Sequence, residues 1–449
     1  MRAYFSGNVG SGTVQEFSDW VEYCNMGGVS PMASLRRENG REAPFHVKYW
    51  GIGNEAWGCG GNMRAEYYAD LCRQYSTYLR SYSPDYKIYK IASGANVDDY
   101  HWTRTVLERA GHVIDAVSLH YYTLPHQDWQ HKGSATEFTE SEYYTTLHKT
   151  LRMEELVENH SRIIRQFAGG RKIGLAVDEW GTWYDVEPGT NPSFLYQQNT
   201  MRDALVAAIN LNIFNNHCDT VCMANIAQMV NVLQSMILTE GSKIVLTPTY
   251  HVFALYAAHQ AHSNWKATRR HPSCAMTKRL YTLHVSASRA ADGKILITVA
   301  NLDAAHPAEA QVLLGGVKAA AVNGTVLCGT ADAHNTFTAP NAVQPKALSA
   351  VLTADGFTAR TARLQCSRLY GNHRSERVQP MPPLPFTGND GRERLLPKCG
   401  ALPRRNCPPK AHTGRGIRRP AGLLQGMRCP ERRDLYAVRL LCGDARGAA

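Results

Sequence analysis

Two glutamates carry the chemistry this sequence is best equipped to perform. Glu55 ends the run Trp50-Gly51-Ile52-Gly53-Asn54-Glu55, and Glu179 sits in Ala176-Val177-Asp178-Glu179-Trp180-Gly181-Thr182-Trp183-Tyr184. Each follows a short apolar segment of the kind that forms a buried parallel strand, and the ends of such strands are where barrel active sites assemble. Glycine lets the backbone bend there. Tryptophan offers a flat apolar surface on which sugar rings stack and against which a carboxyl group loses water. A retaining glycosidase needs two such carboxyls, one to protonate the leaving oxygen and the other, about 5–5.5 Å away, to attack the anomeric carbon. For an arbitrary pair of acids, strand-end salt bridges are the simpler account. The aromatic, glycine-rich surroundings of both acids count against it here.

The elements that must position these residues are legible as alternation. Between about 45 and 230, apolar runs at 47–52, 86–91, 114–119, 173–177 and 220–224 read as strands, separated by helical periodicity over 65–80, 141–167 and 194–211. The middle helix is long enough to require a break. This grammar predicts an α/β catalytic domain over 1–242, an incomplete (β/α)8 TIM barrel with about five of the eight βα units. After 243 the pattern changes to short alternating strands, at 281–285, 295–299 and 312–314, with Gly, Asn and Asp at the turns. A β-sandwich domain is expected over 243–365.

The net charge of +11 resides in the tail: residues 366–449 hold 17 Lys+Arg against 6 Asp+Glu, so 1–365 is neutral. The same tail carries 10 of the 21 prolines with little apolar periodicity, and disorder is expected for it. Its arginines read as a solvated charge run, so no specific nucleic-acid partner is expected. No apolar run reaches 18 residues, which argues against a membrane-spanning helix. No signal-peptide pattern opens the chain, and the expected location is cytoplasmic. Cys218 and Cys222 beside His217 form C-x3-C without a second pair, and Cys399, Cys407, Cys429 and Cys442 are irregularly spaced, so no metal site is expected.

The run from Val47 to Glu55, continuing through Trp57-Gly58-Cys59-Gly60-Gly61, closely resembles the α-L-arabinofuranosidases of glycoside hydrolase family 51. Further matching segments follow in order. They are Asn8-Val9-Gly10-Ser11-Gly12-Thr13, Trp20-Val21-Glu22-Tyr23-Cys24-Asn25, Ser118-Leu119-His120-Tyr121-Tyr122, Asp178 to Tyr184, Asn225-Ile226-Ala227-Gln228-Met229-Val230-Asn231 and Thr247-Pro248-Thr249-Tyr250-His251. The resemblance covers about 4–365, beginning near what would be the end of the third barrel strand, and implies an N-terminally truncated member with an aberrant tail. It implies Glu55 as general acid/base, Glu179 as nucleophile and Asn54 as the partner of the sugar 2-hydroxyl. Tyr122 would orient the nucleophile, with His120, Trp183 and Gln228 lining the arabinose pocket. It further implies an arabinose-containing oligosaccharide or polysaccharide substrate, no cofactor, and self-association as a homo-oligomer. From the residues alone His120 could be a satisfied strand histidine, Trp183 ordinary core and Gln228 a backbone tie. Two alternatives stay open beside the arabinofuranosidase reading: a catalytically dead sugar-binding fragment, and another retaining glycosidase of the same clan, endoglucanase-like.

Overall fold

Six parallel strands in sequential order make the sheet that carries both glutamates: β1 (Tyr4–Gly7), β2 (Tyr49–Ile52), β3 (Tyr89–Asn96), β4 (Ala116–Thr123), β5 (Gly174–Thr182) and β6 (Val221–Ile226). This computed structural model describes residues 2–373, apart from 127, 261, 265–266, 271–282, 316 and 362–364, together with 438–443. The sheet has one strand more than the five expected. Tyr-Phe-Ser-Gly is too short and too mixed to announce β1, which exists because it pairs with β2 along its whole length. The sheet is open: β1 and β6 are its two edges among the described residues. Nonetheless it curls strongly enough for the Tyr4 hydroxyl on β1 to reach Asp178 on β5.

Helices cover the convex face. The α1 helix (Val14–Asn25) starts with a capping box, Thr13 and Glu16 each accepting from the other's backbone N–H, and buries Phe17, Val21 and Cys24. Then come α2 (Pro31–Glu38), α3 (Ala65–Tyr78) and α4 (Tyr100–Ala110). The long helical pattern breaks at Leu151 into α5 (Glu140–Thr150) and α6 (Arg152–Phe167). The next helix, α7 (Met201–Asn216), starts later than its periodicity suggested, because Pro192–Phe194 forms a 3-10 turn and Thr200 with Asp203 makes the capping box that starts the helix. It is buried nearly all round, its asparagines Asn210 and Asn212 included, because both faces are occupied. One face packs on β5 and β6. The other packs on the strand Leu283–Arg289, where Asn212 and Asn216 donate to the carbonyls of His284 and Val285. The last helix is α8 (Pro248–Tyr256).

Beyond 262 two sheets enclose a second apolar core of Val285, Ile297, Val299, Val312, Phe357 and Leu369. One sheet runs through Ala319–Cys328, Gln365–His373, Ile295–Asn301 and Leu283–Arg289, and the other includes Ala308–Leu314, Gly356–Thr361 and Ala350–Thr353. The strand Gln365–His373 crosses the boundary at which the tail was expected to begin, since it completes the sheet by pairing with two neighbours. Val438–Gly443 is likewise a strand, paired with Ala308–Leu314. The rest of the expected disordered tail, with Cys399, Cys407 and Cys429, lies outside the described residues. Among the described residues no helix is long and apolar enough to cross a membrane.

Candidate active site

Glu55 leaves β2 through two residues with positive φ, Gly53 at 81° and Glu55 itself at 43°. A non-glycine residue in that region is held there against a local cost of order 1–3 kcal/mol, which the surrounding structure must offset. The clamp is the tight turn that follows. Gly58 and Gly60 both donate backbone N–H groups to the Glu55 carbonyl, and a Cβ on Gly60 would collide with the Asn54 carbonyl oxygen. Gly60, and Gly61 with its φ of 147°, are thus a packing requirement of the loop that aims Glu55.

Glu179 reaches the same space from within β5. Strand register places it beside His120 on β4, and that register shifts between Ser118 and His120. An irregularity of this kind re-aims side chains. It lets two consecutive acids, Asp178 and Glu179, both face His120 where a regular pleat would send them to opposite sides.

A single oxygen from each of Glu55 and Glu179, with a nitrogen of His120, form a group in which all three atoms lie within 4.8 Å of one another. His120 Nδ1 is 2.9 Å from Glu55 Oε1 and 3.6 Å from Glu179 Oε2, and its Nε2 faces Asp178 Oδ1 at 3.2 Å. Asn54 Nδ2 donates to Glu179 Oε1 at 3.2 Å, and the Tyr122 hydroxyl donates to Glu179 Oε2 at 2.7 Å. Trp183 stands edge-on to Tyr122 with ring centroids 4.9 Å apart. The structure therefore brings Asn54, His120, Tyr122 and Trp183 together around the two glutamates. Gln228 lies instead on the loop after β6, exposed, lining a cavity of about 680 Å³ with Phe194, Tyr196 and Phe337.

Four participants escape sequence reasoning. Cys59 donates its thiol to Glu55 Oε2 at 3.4 Å, and Trp129, 57% exposed, extends the aromatic row by packing on Trp183 at 5.4 Å. Asp178 and Tyr4 stand behind His120, Tyr4 donating to Asp178 Oδ2 at 2.8 Å. Only the aromatic richness around Glu179 hinted at any of these.

The electrostatics centre on His120, whose side chain is 4% exposed. Burial alone would depress its pKa, but the close approach of Asp178, the hydrogen bond with Glu55 and the charges of Asp178 and Glu179 outweigh that and push it up to about 10. Its hydrogen bond in turn holds Glu55 below the usual carboxylate range, against burial, which acts upward. Burial, reinforced by the Glu179 charge, drives the Tyr122 phenol up, so it remains a hydrogen-bond donor throughout the physiological range. Both His120 nitrogens face carboxylates, so the positive charge between the glutamates is the imidazolium's own. A second acidic group, Glu154, Glu158 and His217, stands on α6 and at the end of α7, where His217 is paired with Glu154. Cys218 and Cys222 are free thiols, Cys222 lying against the Tyr89 hydroxyl.

Two family models match the chain, "Alpha-L-arabinofuranosidase 1 domain" over residues 8–142 and "Alpha-L-arabinofuranosidase C-terminal domain" over 178–364. Among curated proteins, an intracellular exo-alpha-L-arabinofuranosidase of Bacteroides ovatus is 48% identical over 346 residues, 76% of this chain and 67% of the relative. A probable alpha-L-arabinofuranosidase C of Aspergillus terreus is 30% identical over 67% of this chain and 61% of its own length. The chain thus spans about two thirds or less of the curated relatives it matches. Among solved structures, the GH51 arabinofuranosidase of Xanthomonas axonopodis pv. citri superposes with a TM-score of 0.76 at 43% identity, over 83% of this chain and 76% of that one. An alpha-L-arabinofuranosidase of Thermotoga maritima, solved as an arabinose complex, gives 0.67 at 27% identity, over 83% and 75%.

Proposed function

Because this chain belongs to the α-L-arabinofuranosidases of glycoside hydrolase family 51, we propose that it releases terminal non-reducing α-L-arabinofuranosyl residues from arabinan, arabinoxylan or arabino-oligosaccharides by double displacement. The observation that carries the reading is the short gap, within 4.8 Å, between carboxylate oxygens of Glu55 and Glu179. That gap suits a retaining pair and leaves no room for the water an inverting pair must hold between them.

In this reading Glu179 attacks the anomeric carbon while Glu55 protonates the departing oxygen, giving a covalent arabinosyl-enzyme. Tyr122 fixes the angle of the attacking carboxylate and releases its charge as the ester forms. Asn54, held on Glu179 in the free enzyme, is placed to take the sugar 2-hydroxyl, a contact that strengthens as positive charge grows on the ring. Glu55, now a carboxylate, then draws a proton from the incoming water. Trp183 and Trp129 supply the apolar wall, and Gln228 with Phe194 and Tyr196 belongs to the substrate-facing rim. No metal or organic cofactor has a step in this scheme.

The same proposal takes 1–242 as the catalytic domain and 243–365, continued by the strand Gln365–His373, as the sandwich, with a homo-oligomer as the working assembly. It places the protein in the cytoplasm, in keeping with the word intracellular in the name of the Bacteroides ovatus relative.

The test is incubation of the chain with an aryl α-L-arabinofuranoside, following the anomeric configuration of released arabinose by NMR and trapping the intermediate with a mechanism-based inhibitor. Release with retention and a label on the Glu179 peptide is expected. Inversion, or a label elsewhere, would refute the scheme. Arabinose binding without turnover would favour the sugar-binding fragment, and turnover of β-glucans instead the endoglucanase-like alternative.

A further inference from the structure

We propose that Asp178 and Tyr4 are positioning residues of the reaction, holding His120 as the store of the proton that Glu55 hands to the leaving oxygen. This rests on the reading of Glu55 as acid/base, and goes beyond it by naming where the proton waits and what keeps it there.

The argument begins with two buried polar atoms. Among the described residues His120 Nε2 and Asp178 Oδ1 have no partner with good hydrogen-bond geometry, yet they face each other at 3.2 Å with side chains only 4% and 6% exposed. A neutral imidazole nitrogen and a carboxylate oxygen left in that state would each bear a desolvation penalty. An imidazolium–carboxylate pair removes most of it. The other oxygen of Asp178 accepts from the Tyr4 hydroxyl at 2.8 Å, across the inside of the curled sheet from β1 to β5. Burial, then the Asp178 charge, drives that phenol far above its ordinary range, so it donates and never competes as an anion. Tyr4 therefore fixes the carboxylate, the carboxylate fixes the Nε2 proton, and the opposite nitrogen, Nδ1, presents its own proton to Glu55 at 2.9 Å.

Charge balance gives this geometry its consequence. The groups facing His120 are the carboxylates of Glu55, Asp178 and Glu179, with the Tyr122 hydroxyl on Glu179, the Tyr4 hydroxyl on Asp178 and the Cys59 thiol on Glu55. In the free site the proton shared by His120 and Glu55 therefore rests on the histidine, in keeping with its upward shift and the downward shift of Glu55. A general acid cannot act as a carboxylate. When substrate excludes water, the proton on Nδ1 crosses to the Glu55 carboxyl. That group turns about its Cγ–Cδ bond and delivers the proton to the glycosidic oxygen as the bond from that oxygen to the anomeric carbon breaks. The electron pair of the broken bond takes the proton, and His120 is left neutral with Nε2–H still on Asp178. In the second step the proton lost by water returns through Glu55 to Nδ1. One proton leaves and one comes back, so the cycle balances.

A purely structural role, in which Tyr4 and Asp178 tie β1 to β5, predicts a uniform loss of activity on removal. The proton-store role predicts a selective one. We would compare the chain with its Asp178→Asn and Tyr4→Phe variants on aryl α-L-arabinofuranosides of graded leaving-group pKa, over pH 5 to 10. The expected result for D178N is an alkaline limb of kcat/KM moved to lower pH by about one unit or more, with a loss of about 100-fold on poor leaving groups and little change on dinitrophenyl substrates. Y4F should lie between. An unmoved limb with equal loss on every leaving group overturns the proposal. A second measurement needs no turnover: nitrogen NMR of histidine-labelled protein at pH 8, with the His120 signal identified by its absence in H120Q. Both nitrogens protonated in the unmodified chain supports the proposal, even if D178N folds poorly, and a neutral His120 there overturns it. An unmodified chain with a protonated His120 and no arabinosidase activity would refute the proposed function while leaving the charged Tyr4–Asp178–His120 arrangement standing.

Discussion

The Tyr122 hydroxyl donates to Oε2 of Glu179 at 2.7 Å, from a ring held edge-on against Trp183. Burial and the Glu179 charge keep that phenol protonated, so it points a permanent dipole at the attacking group. Replacing Tyr122 with Phe keeps the ring contact and removes the donor. A hydrogen bond to a charged group is worth about 1.5–3 kcal/mol, so Y122F should lower kcat/KM about 10- to 100-fold, with thermal stability little changed. Steady-state kinetics beside a melting curve would check it, and an unchanged rate would mean that Asn54 alone orients the nucleophile.

Leaving-group chemistry separates the two glutamates. Glu55→Ala removes protonation of the departing oxygen, which typically contributes about 10²–10⁴-fold, but a dinitrophenolate leaves without that help. E55A should therefore keep most of its first-step rate on dinitrophenyl arabinofuranoside and lose it on arabino-oligosaccharides. Glu179→Ala should be inactive on both, since no other carboxylate is placed to bond carbon. Mass spectrometry of an adduct in E179A would contradict that assignment.

Cys59 touches Glu55 and is exposed, yet burial of the sulfur and the adjacent Glu55 carboxylate push its thiol up. The thiolate is the species that is alkylated, so a raised pKa means less of it at a given pH. Iodoacetamide should modify Cys59 more slowly than glutathione at pH 7.5, and faster as pH rises past 9. The added group would crowd Glu55 and stop turnover, and arabinose should protect. Peptide mapping over time at two pH values reads this directly, and rapid labelling at neutral pH would show that Glu55 does not stand beside the thiol as a carboxylate.

How much of this arrangement is legible in the amino-acid order depends on the range of each interaction. Strands β2 to β6 announce themselves because a parallel strand covered on both faces must be apolar along its length. The break at Leu151 follows from helix length. Glu55 and Glu179 are conspicuous because glycine and tryptophan crowd around them. By contrast, β1 is four residues long and gains its identity only from pairing with β2, some 45 positions away. Asp178 reads as an ordinary strand acid, because nothing local says that a register shift turns it inward beside Glu179, or that Tyr4, 174 residues earlier, closes on it. Trp129 and Cys59 are invisible for the same reason: their partners are chosen by tertiary packing. Gln228, which the family resemblance implies as a pocket residue, lines the cavity beside Phe194 and Tyr196 on the loop after β6, a neighbourhood that its own sequence context does not announce.

Trp180 follows the nucleophile in sequence and points the other way, fully buried, stacked on Phe253 of α8 at 5.9 Å and edge-on to Phe214 of α7 at 5.3 Å. It is the side chain by which β5 grips the two helices behind it. Trp180→Ala leaves a large cavity between a strand and helices that cannot readily close on it, and such truncations cost about 3–5 kcal/mol. The strand would then lose the support that keeps Glu179 within reach of Glu55. W180A should therefore show a lower urea midpoint and, at temperatures where it is still folded, a fall in kcat larger than any rise in KM. W180F, which keeps a ring in the gap, should recover most of both. If W180A were destabilised by the expected amount but turned over normally, the position of Glu179 would be set by Tyr122 and Asn54 from the front of the sheet, independently of the packing behind it.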